Sequence, residues 1–108
     1  AITVAPSTET TFVKGEEPHT AGTILDRSQC VIAKAPQCFF LGDIHKAHLK
    51  ANEEKLEFID SASMMQHFGH TLYLVEGLPA NIKITTPIDF YTFKAYLDVQ
   101  DSMNVIGL

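Results

Sequence analysis

The chain has 108 residues, enough for one small domain with a modest hydrophobic core. Hydrophobic residues make up 45% and charged residues 19%, which is typical of a globular protein rather than a disordered one. The formal net charge is -5 and the sequence shows no cluster of Lys and Arg, so neither nucleic acid nor an anionic membrane is an expected partner. No apolar run approaches the roughly 20 residues of a membrane-spanning helix.

The two cysteines, Cys30 and Cys38, are too few for a disulfide framework and too far apart for a redox pair. We expect both to be reduced, in a cytoplasmic protein. The sequence shows no signal peptide and no initial Met, and residues 2–5 already read as a strand. The chain therefore reads as part of a longer protein.

Residues 8–25 are predicted to form an exposed hairpin, which we call the arm. Thr8 to Val13 is rich in β-branched and aromatic residues, a charged turn follows, and Thr20 to Leu25 returns as a second strand. Because a lone hairpin is marginally stable in water, the arm needs a surface to cover it. We expect it to extend from the body of the protein and to pack on a second subunit.

Two strands are predicted between the arm and Gly77. Val31 and Ile32 indicate a brief strand, and residues 35–37 read as a break because they contain Pro36. The continuous apolar run from Thr71 to Val75 is typical of a strand that is buried on both faces.

Three helices are predicted from apolar spacing and from capping signals. The first begins at Phe40 and ends near Asn52. The second runs from 62 to 68, with a cap at Asp60 and Ser61 and a closing glycine, Gly69. The third runs from 87 to 99. Its inward-facing residues are expected to be Phe90, Phe93 and Leu97.

The stretch from Asn81 to Asp89 combines a strand pattern with a helix start. Ile82 and Ile84 alternate with polar residues, which predicts a short strand. Thr86 and Asp89 then have the spacing of a capping box. Lys83 would lie at the end of the strand, where open α/β sheets bind ligands, so it is a candidate for binding an anion. The alternative is an ordinary solvated lysine.

Strands that alternate with helices predict an α/β fold with a mostly parallel sheet. The arm is the irregular part of this pattern. We see no internal repeat and no Gly-rich phosphate loop, so these residues alone should not bind a nucleoside triphosphate.

Other kinds of chemistry find little support in the sequence. His45 and His48 are three residues apart, as are His67 and His70, but neither pair has companion ligands at zinc-site spacing. Surface histidines are the ordinary interpretation. A Ser-His-Asp hydrolase would need a nucleophile elbow, and the sequence contains no Gly-x-Ser-x-Gly.

Arg27, at the base of the arm, is the second basic residue of interest. Its planar guanidinium is suited to gripping a phosphate with two parallel hydrogen bonds. A local ion pair with Asp26 or with the acidic turn of the arm is the alternative.

Five motifs in order resemble one family over nearly the whole chain. The chain resembles the C-terminal half of the cytidylyltransferases that act on methylerythritol 4-phosphate or ribitol 5-phosphate. The motifs are Val4-Ala5-Pro6 with Thr10, Leu25 to Ser28, Ala35 to Phe39, Asp60 to Ser63, and Asn81 to Asp89.

The resemblance implies a Rossmann-like fold and a homodimer formed through the arm. It implies transfer of CMP from CTP to a sugar-alcohol phosphate, with release of pyrophosphate and with Mg²⁺ bound by residues outside this chain. By motif, Thr10, Arg27 and Lys83 bind the substrate phosphate, and Lys83 is also the catalytic residue. Thr10 and Arg27 would reach the partner subunit's site.

Two positions depart from the family pattern. The family has Thr-Pro-Gln where this chain has Ala35, and Thr-Asp where this chain has Ile59, so two hydroxyls are lost. The family's CTP loop, early lysine and acidic metal-binding motif are also missing from these residues. The alternative function is a non-catalytic dimerisation module with the same fold. Which alcohol phosphate is used stays open.

Overall fold

The computed structural model describes residues 1–107. Contacts divide the chain into two compact units, the first ending at Gly77 and the second beginning at Leu78. In the first unit the elements are β1 (Ile2–Pro6), β2 (Phe12–Lys14), β3 (Ala21–Ile24), a 3-10 helix (Arg27–Gln29), β4 (Val31–Gln37), α1 (Leu41–Glu53), α2 (Ser61–His67) and β5 (Leu74–Glu76). The second unit contains α3 (Pro87–Val105).

β1, β4 and β5 form a three-stranded sheet in the order β4-β1-β5. β1 pairs antiparallel with β4, with Val4 opposite Ala33, and parallel with β5, with Ile2 opposite Leu74. The α/β class is confirmed, but the expectation of a mostly parallel sheet is wrong because the sheet is mixed. The reason is the arm, whose two strands turn the chain back so that β4 runs along β1 in the opposite direction.

The predicted break at residues 35–37 is also wrong. β4 continues through these residues to Gln37, and the Ala35–Pro36 peptide bond is cis. Proline is tolerated here because β4 is an edge strand. One side of β4 has no neighbouring strand, and a residue without an N–H group on that side costs the sheet no hydrogen bond.

β5 is shorter and more exposed than the sequence predicted. It spans Leu74–Glu76 instead of starting at Thr71, and Leu74 and Val75 are 57% and 53% exposed. The expectation of burial on both faces is wrong because all three residues of β5, which also lies at an edge of the sheet, are exposed. Among the strands of residues 1–107, only β1, whose Ile2, Val4 and Ala5 are buried, has a strand on each side.

α1 and α2 pack together around two methionines. Met64 and Met65 of α2 lie in one cluster with Ala47 and Ala51 of α1. The predicted cap is confirmed, because Asp60 accepts a hydrogen bond from the backbone N–H of Ser63 at 2.8 Å. The predicted end of α2 is confirmed as well. Gly69 has a φ of 85°, a left-handed conformation that favours glycine.

The second unit departs from the prediction before α3 and agrees with it at the start of α3. Residues 81–85 form no strand; the Asn81 and Ile82 N–H groups donate to the carbonyls of Leu78 and Ala80, which are contacts of turns. The alternation of apolar and polar side chains did not predict the structure correctly here, because a strand also has to pair with a neighbouring strand in a sheet. The capping box of Thr86 and Asp89 is confirmed.

α3 extends six residues beyond the predicted end, to Val105, and none of its residues is buried. The predicted inward face is therefore wrong for Phe90 and Leu97, which are 54% and 45% exposed, whereas Phe93 is half-buried. Among the helices of residues 1–107, we find none whose length and hydropathy would let it cross a lipid bilayer.

Candidate functional site

Arg27 ties the two ends of the arm together. It begins the 3-10 helix after β3, and its Nη1 donates a hydrogen bond of 3.0 Å to the carbonyl oxygen of Thr8, the residue at the other end of the arm. In residues 1–107 no ion pair joins Arg27 to Asp26. The other guanidinium donors of this exposed residue have no partner among the described residues, so they can bind a ligand.

Asp26 caps the 3-10 helix that begins at Arg27. Its Oδ1 accepts from the Ser28 backbone N–H at 3.0 Å and from the Ser28 hydroxyl at 2.8 Å. The hydroxyl bond, followed by the backbone bond, holds the pKa of Asp26 below its usual value. Asp26 therefore stays ionised and caps the 3-10 helix, and within residues 1–107 it forms no ion pair with Arg27.

Thr10 lies at the same end of the arm as Arg27. It is exposed and belongs to the short connection between β1 and β2. Thr8 on one side of it accepts from Arg27, and the Thr11 carbonyl on the other side accepts from the Leu25 N–H at 2.9 Å. Because the Thr8 and Thr11 carbonyls are both bonded to residues that follow β3, Thr10 lies at the base of the arm. The structure therefore brings Thr10 and Arg27 to one place.

Lys83 belongs to the second unit and is exposed. It precedes the start of α3, where one carboxylate oxygen of Asp89 accepts from the N–H and hydroxyl groups of Thr85 and Thr86 at 2.9–3.0 Å. These bonds, with the Thr85 N–H first, lower the pKa of Asp89 to about 2. The lysine thus follows a turn and precedes a well-anchored helix start, although the predicted strand is absent.

Sequence reasoning missed a contact between Gln37 and the start of α2. The Gln37 side chain donates through Nε2 to Oδ2 of Asp60 and accepts through Oε1 from the N–H of Ala62, both at 3.2 Å. The cap at Asp60 was predictable from its position before a helix. Its second partner was not, because Gln37 is 23 residues away along the chain. We call this arrangement the Gln37 clamp.

A cavity of about 650 Å³ lies near the starts of β1 and α1, away from the predicted site residues. Its walls are mainly apolar, with Asp43 and His70 among the polar residues that line it. Thr10, Arg27 and Lys83 do not line it. The lining residues are Ala1, Cys38, Phe39, Phe40, Asp43, Met65, His70, Thr71, Leu72 and Tyr73.

The described residues do not fit a metal ion. No three side chains of His, Cys, Asp or Glu within 1–107 come together in an arrangement that could hold one. The three carboxylates with several hydrogen bonds, Asp26, Asp60 and Asp89, already accept from neighbouring backbone groups. We assign no chemical step to Mg²⁺ on these residues.

The chain is similar to known proteins over nearly its whole length. The family model of 2-C-methyl-D-erythritol 4-phosphate cytidylyltransferase (IspD) matches residues 1–99. Ribitol-5-phosphate cytidylyltransferase of Vibrio parahaemolyticus is 46% identical over 108 residues, covering 99% of this chain and 45% of that protein. The corresponding protein of Streptococcus agalactiae is 42% identical over 86 residues, covering 79% of this chain and 36% of that protein.

A solved structure shows the same architecture. The crystal structure of 2-C-methyl-D-erythritol 4-phosphate cytidylyltransferase from Thermus thermophilus matches with a TM-score of 0.75 and 30% identity, covering 90% of this chain and 47% of that one. The chain spans less than half the length of each of these proteins. With residues 1–99 matched and the fold shared, this chain belongs to the 2-C-methyl-D-erythritol 4-phosphate cytidylyltransferase family.

Proposed function

We propose that this chain supplies the alcohol-phosphate site and the dimer arm of a cytidylyltransferase. In the reaction, a phosphate oxygen of the alcohol phosphate attacks the α-phosphorus of CTP. A new P–O bond forms, the bond from the α-phosphorus to the oxygen bridging to the β-phosphorus breaks, and pyrophosphate leaves. The products are a CDP-alcohol and pyrophosphate.

The observation that carries this proposal is the position of Arg27 and Thr10. One guanidinium donor is used at the base of the arm, which fixes the side chain, and the remaining donors are open to a phosphate. The Thr10 hydroxyl adds a neutral donor, and Lys83 adds a second positive charge in the complete enzyme. Such groups orient the attacking phosphate and offset the charge that develops in the transition state.

The arm is proposed to form a homodimer that places Arg27 in the partner subunit's site. Its two strands present apolar side chains that their own subunit leaves exposed, with Phe12 at 53% and Ile24 at 61%. These two residues face each other across the hairpin, so they form a patch on one side of it. A second copy of the chain would cover this patch.

The sheet is proposed to be one part of a larger Rossmann-like sheet. The parallel pair β1 and β5, with α1 and α2 between them in the sequence, favours this arrangement. The rest of the enzyme would supply the CTP site and the ligands of Mg²⁺. The reduced cysteines expected from the sequence favour a cytoplasmic enzyme.

The substrate class is proposed to be a sugar-alcohol phosphate. Methylerythritol 4-phosphate and ribitol 5-phosphate are the two alcohols named for the similar proteins. Both present a phosphate dianion on a short polyol, which is what a threonine and two cations would recognise. The proteins with 46% and 42% identity carry the ribitol name, so D-ribitol 5-phosphate is the first substrate to test.

A specific observation favours the alternative of a non-catalytic dimerisation module. Ala35 and Ile59 lack the hydroxyls of the family pattern, and Ile59 is 95% exposed, so its side chain adds no polar contact to a site. This alternative predicts a dimer with no turnover.

Pyrophosphate release from CTP separates the two functions. The complete enzyme that contains this chain should release pyrophosphate with Mg²⁺ and either D-ribitol 5-phosphate or methylerythritol 4-phosphate. Residues 1–108 alone should release none, because they contain no phosphate loop. A complete enzyme that dimerises but releases no pyrophosphate with either alcohol would overturn the proposed function and favour the module.

A further inference from the structure

One carboxylate at the start of α3 accepts more hydrogen bonds than a helix cap requires. Oδ2 of Asp89 accepts from the N–H and hydroxyl groups of Thr86 at 2.9 Å and from the same two groups of Thr85 at 3.0 Å. In a capping box the carboxylate has to bond only the N–H of the cap residue, which is Thr86 here. The two Thr85 bonds lie one residue outside the helix, so they hold the chain that leads into α3.

Lys83 lies in a short span of chain between two bonded residues. On one side, the Ile82 N–H donates at 2.9 Å to a carbonyl of the preceding turn. On the other side, Thr85 is bonded to Asp89. Lys83 and the residue after it form no hydrogen bond among residues 1–107. The position of the Lys83 backbone therefore depends on the turn at Ile82 and on the bonds of Thr85.

A lysine is placed by its backbone more than by its own side chain. The side chain is a flexible four-carbon stem, and Lys83 is exposed with no ion pair in the part of the chain that the structure describes. Thr85 follows Lys83 at no more than about 7 Å along the chain, so a displacement of Thr85 is passed on to Lys83. A backbone that is free to move adds to the entropy that the ammonium loses on binding a phosphate, and it weakens the orientation of that phosphate.

We propose that Asp89 is a positioning residue for Lys83 and that it acts through the hydroxyl and N–H groups of Thr85. The carboxylate touches neither substrate nor the reacting atoms. It fixes the end of the span that carries the lysine, and so fixes where the ammonium meets the substrate phosphate. This inference rests on the proposed cytidylyltransferase function and on the proposed role of Lys83 in it.

The test removes the Thr85 hydroxyl in the complete enzyme. Thr85→Val keeps the shape of the side chain, and the Thr85 N–H and the capping box still bond Asp89, so the start of α3 is retained. Loss of the hydroxyl bond should lower kcat/KM about fivefold, measured with whichever of D-ribitol 5-phosphate and methylerythritol 4-phosphate the wild type accepts. Thr85→Ser, which keeps the hydroxyl, should stay within about twofold of the wild type.

Thr92→Val is the matched control, because it makes the same change of hydroxyl to methyl in the first turns of α3. The Thr92 hydroxyl donates to the Ile88 carbonyl at 2.9 Å, inside the helix, and has no bond to the span that carries Lys83. This variant should change kcat/KM by less than about twofold. A loss equal to that of Thr85→Val would assign the effect to the helix in general.

A double-mutant cycle shows whether Thr85 acts through Lys83. In Lys83→Ala the ammonium is gone, so adding Thr85→Val should cost less than about twofold more. A role in stability alone would cost the same factor in both backgrounds. Where Lys83→Ala turns over too slowly to follow, the same cycle is measured as the dissociation constant of the alcohol phosphate by isothermal titration calorimetry.

The inference fails if Thr85→Val leaves kcat/KM unchanged, or if its loss is the same with and without the Lys83 ammonium. It also fails, by itself, if the wild type is active and Lys83→Ala costs nothing, since the enzyme assignment then stands. A complete wild-type enzyme that releases no pyrophosphate with either alcohol is measured before any variant, and that result overturns the proposed function together with this inference.

Discussion

The central sheet and the arm are both short β structures, but they differ in what covers them. In the sheet, Ile2 and Ala5 of β1 are 3% and 2% exposed, since strands flank β1 on both sides and α2 packs nearby. In the arm, Phe12 and Ile24 are more than half exposed, and no residue of either strand is buried. The fold of this chain therefore provides a core for the sheet and none for the arm.

The arm is nevertheless ordered at its base by polar contacts. The Arg27 bond to the Thr8 carbonyl and the Leu25 bond to the Thr11 carbonyl close the hairpin where it leaves the body. These contacts hold the direction of the arm without supplying apolar burial. A hairpin that is held in position but left uncovered is suited to binding a second subunit.

Truncation of a core residue should have the largest effect on stability. Met65→Ala should lower the free energy of unfolding by about 2–5 kcal/mol, since Met65 is buried and its loss leaves a cavity. Phe12→Ala in the arm, at a concentration where the protein is monomeric, should lower it by less than about 1 kcal/mol. Urea unfolding monitored by circular dichroism measures both. Equal losses would mean that the arm is covered by its own subunit.

Replacing the apolar side chains of the arm with alanine should have the next largest effect, which is on the association of two subunits. The double variant Phe12→Ala/Ile24→Ala should raise the dissociation constant of the proposed dimer at least about thirtyfold, as expected for a buried apolar anchor. Sedimentation velocity over a range of concentrations measures this constant. Thr23→Ala, a truncation of the polar neighbour in the same strand, is the control and should change it little. A dimer that persists unchanged in the double variant would place the interface elsewhere.

The start of α3 resembles the arm, because it is ordered by hydrogen bonds although no residue of the helix is buried. The folded-state pKa of Asp89, about 2, is below its unfolded value, so its contribution to stability is present above pH 4 and is lost as the pH falls toward 2. An NMR titration of the Asp89 carboxyl should give a midpoint of about 2. The Thr85 and Thr86 amide signals should shift with it, and Thr85→Val should raise the midpoint. A midpoint near 4 would show that the cap is not formed in solution.

Local signals in the sequence predicted the parts of the fold that depend on local bonds. The cap at Asp60, the left-handed Gly69 and the capping box of Thr86 and Asp89 are all made within a few residues, so their spacing is visible in the sequence. The hairpin of the arm was found for the same reason, although its strands are shorter than predicted.

The parts that depend on distant partners were not predictable from one sequence. β5 was expected to be buried and proved to be an exposed edge strand, and residues 81–85 do not join either sheet. The Gln37 clamp joins residues 23 apart and leaves no pattern in the sequence. Among the candidate site residues, Thr10 and Arg27 were predicted from motifs, and the structure places both at the base of the arm. The phosphate-binding roles of Thr10, Arg27 and Lys83 stay predictions.

We propose that a cytidylyltransferase site is shared between two subunits, with Arg27 from one and Lys83 from the other. Arg27→Ala and Lys83→Ala should each lower kcat/KM for the alcohol phosphate about ten- to hundredfold in the complete enzyme, with little change in melting temperature. Lys14→Ala, at the turn of the arm, is the control and should have little effect. The losses of activity in these two single variants are the starting point for the mixing experiment below.

The most direct test is to mix the Arg27→Ala and Lys83→Ala enzymes under conditions where subunit exchange has been demonstrated with labelled protein. A mixed dimer would carry both defects in one site and neither defect in the other. Activity should therefore partly recover on mixing, toward one intact site for each mixed dimer. Demonstrated exchange with no recovery of activity would contradict the proposal of a shared site, because Arg27 and Lys83 would then serve the same subunit's site.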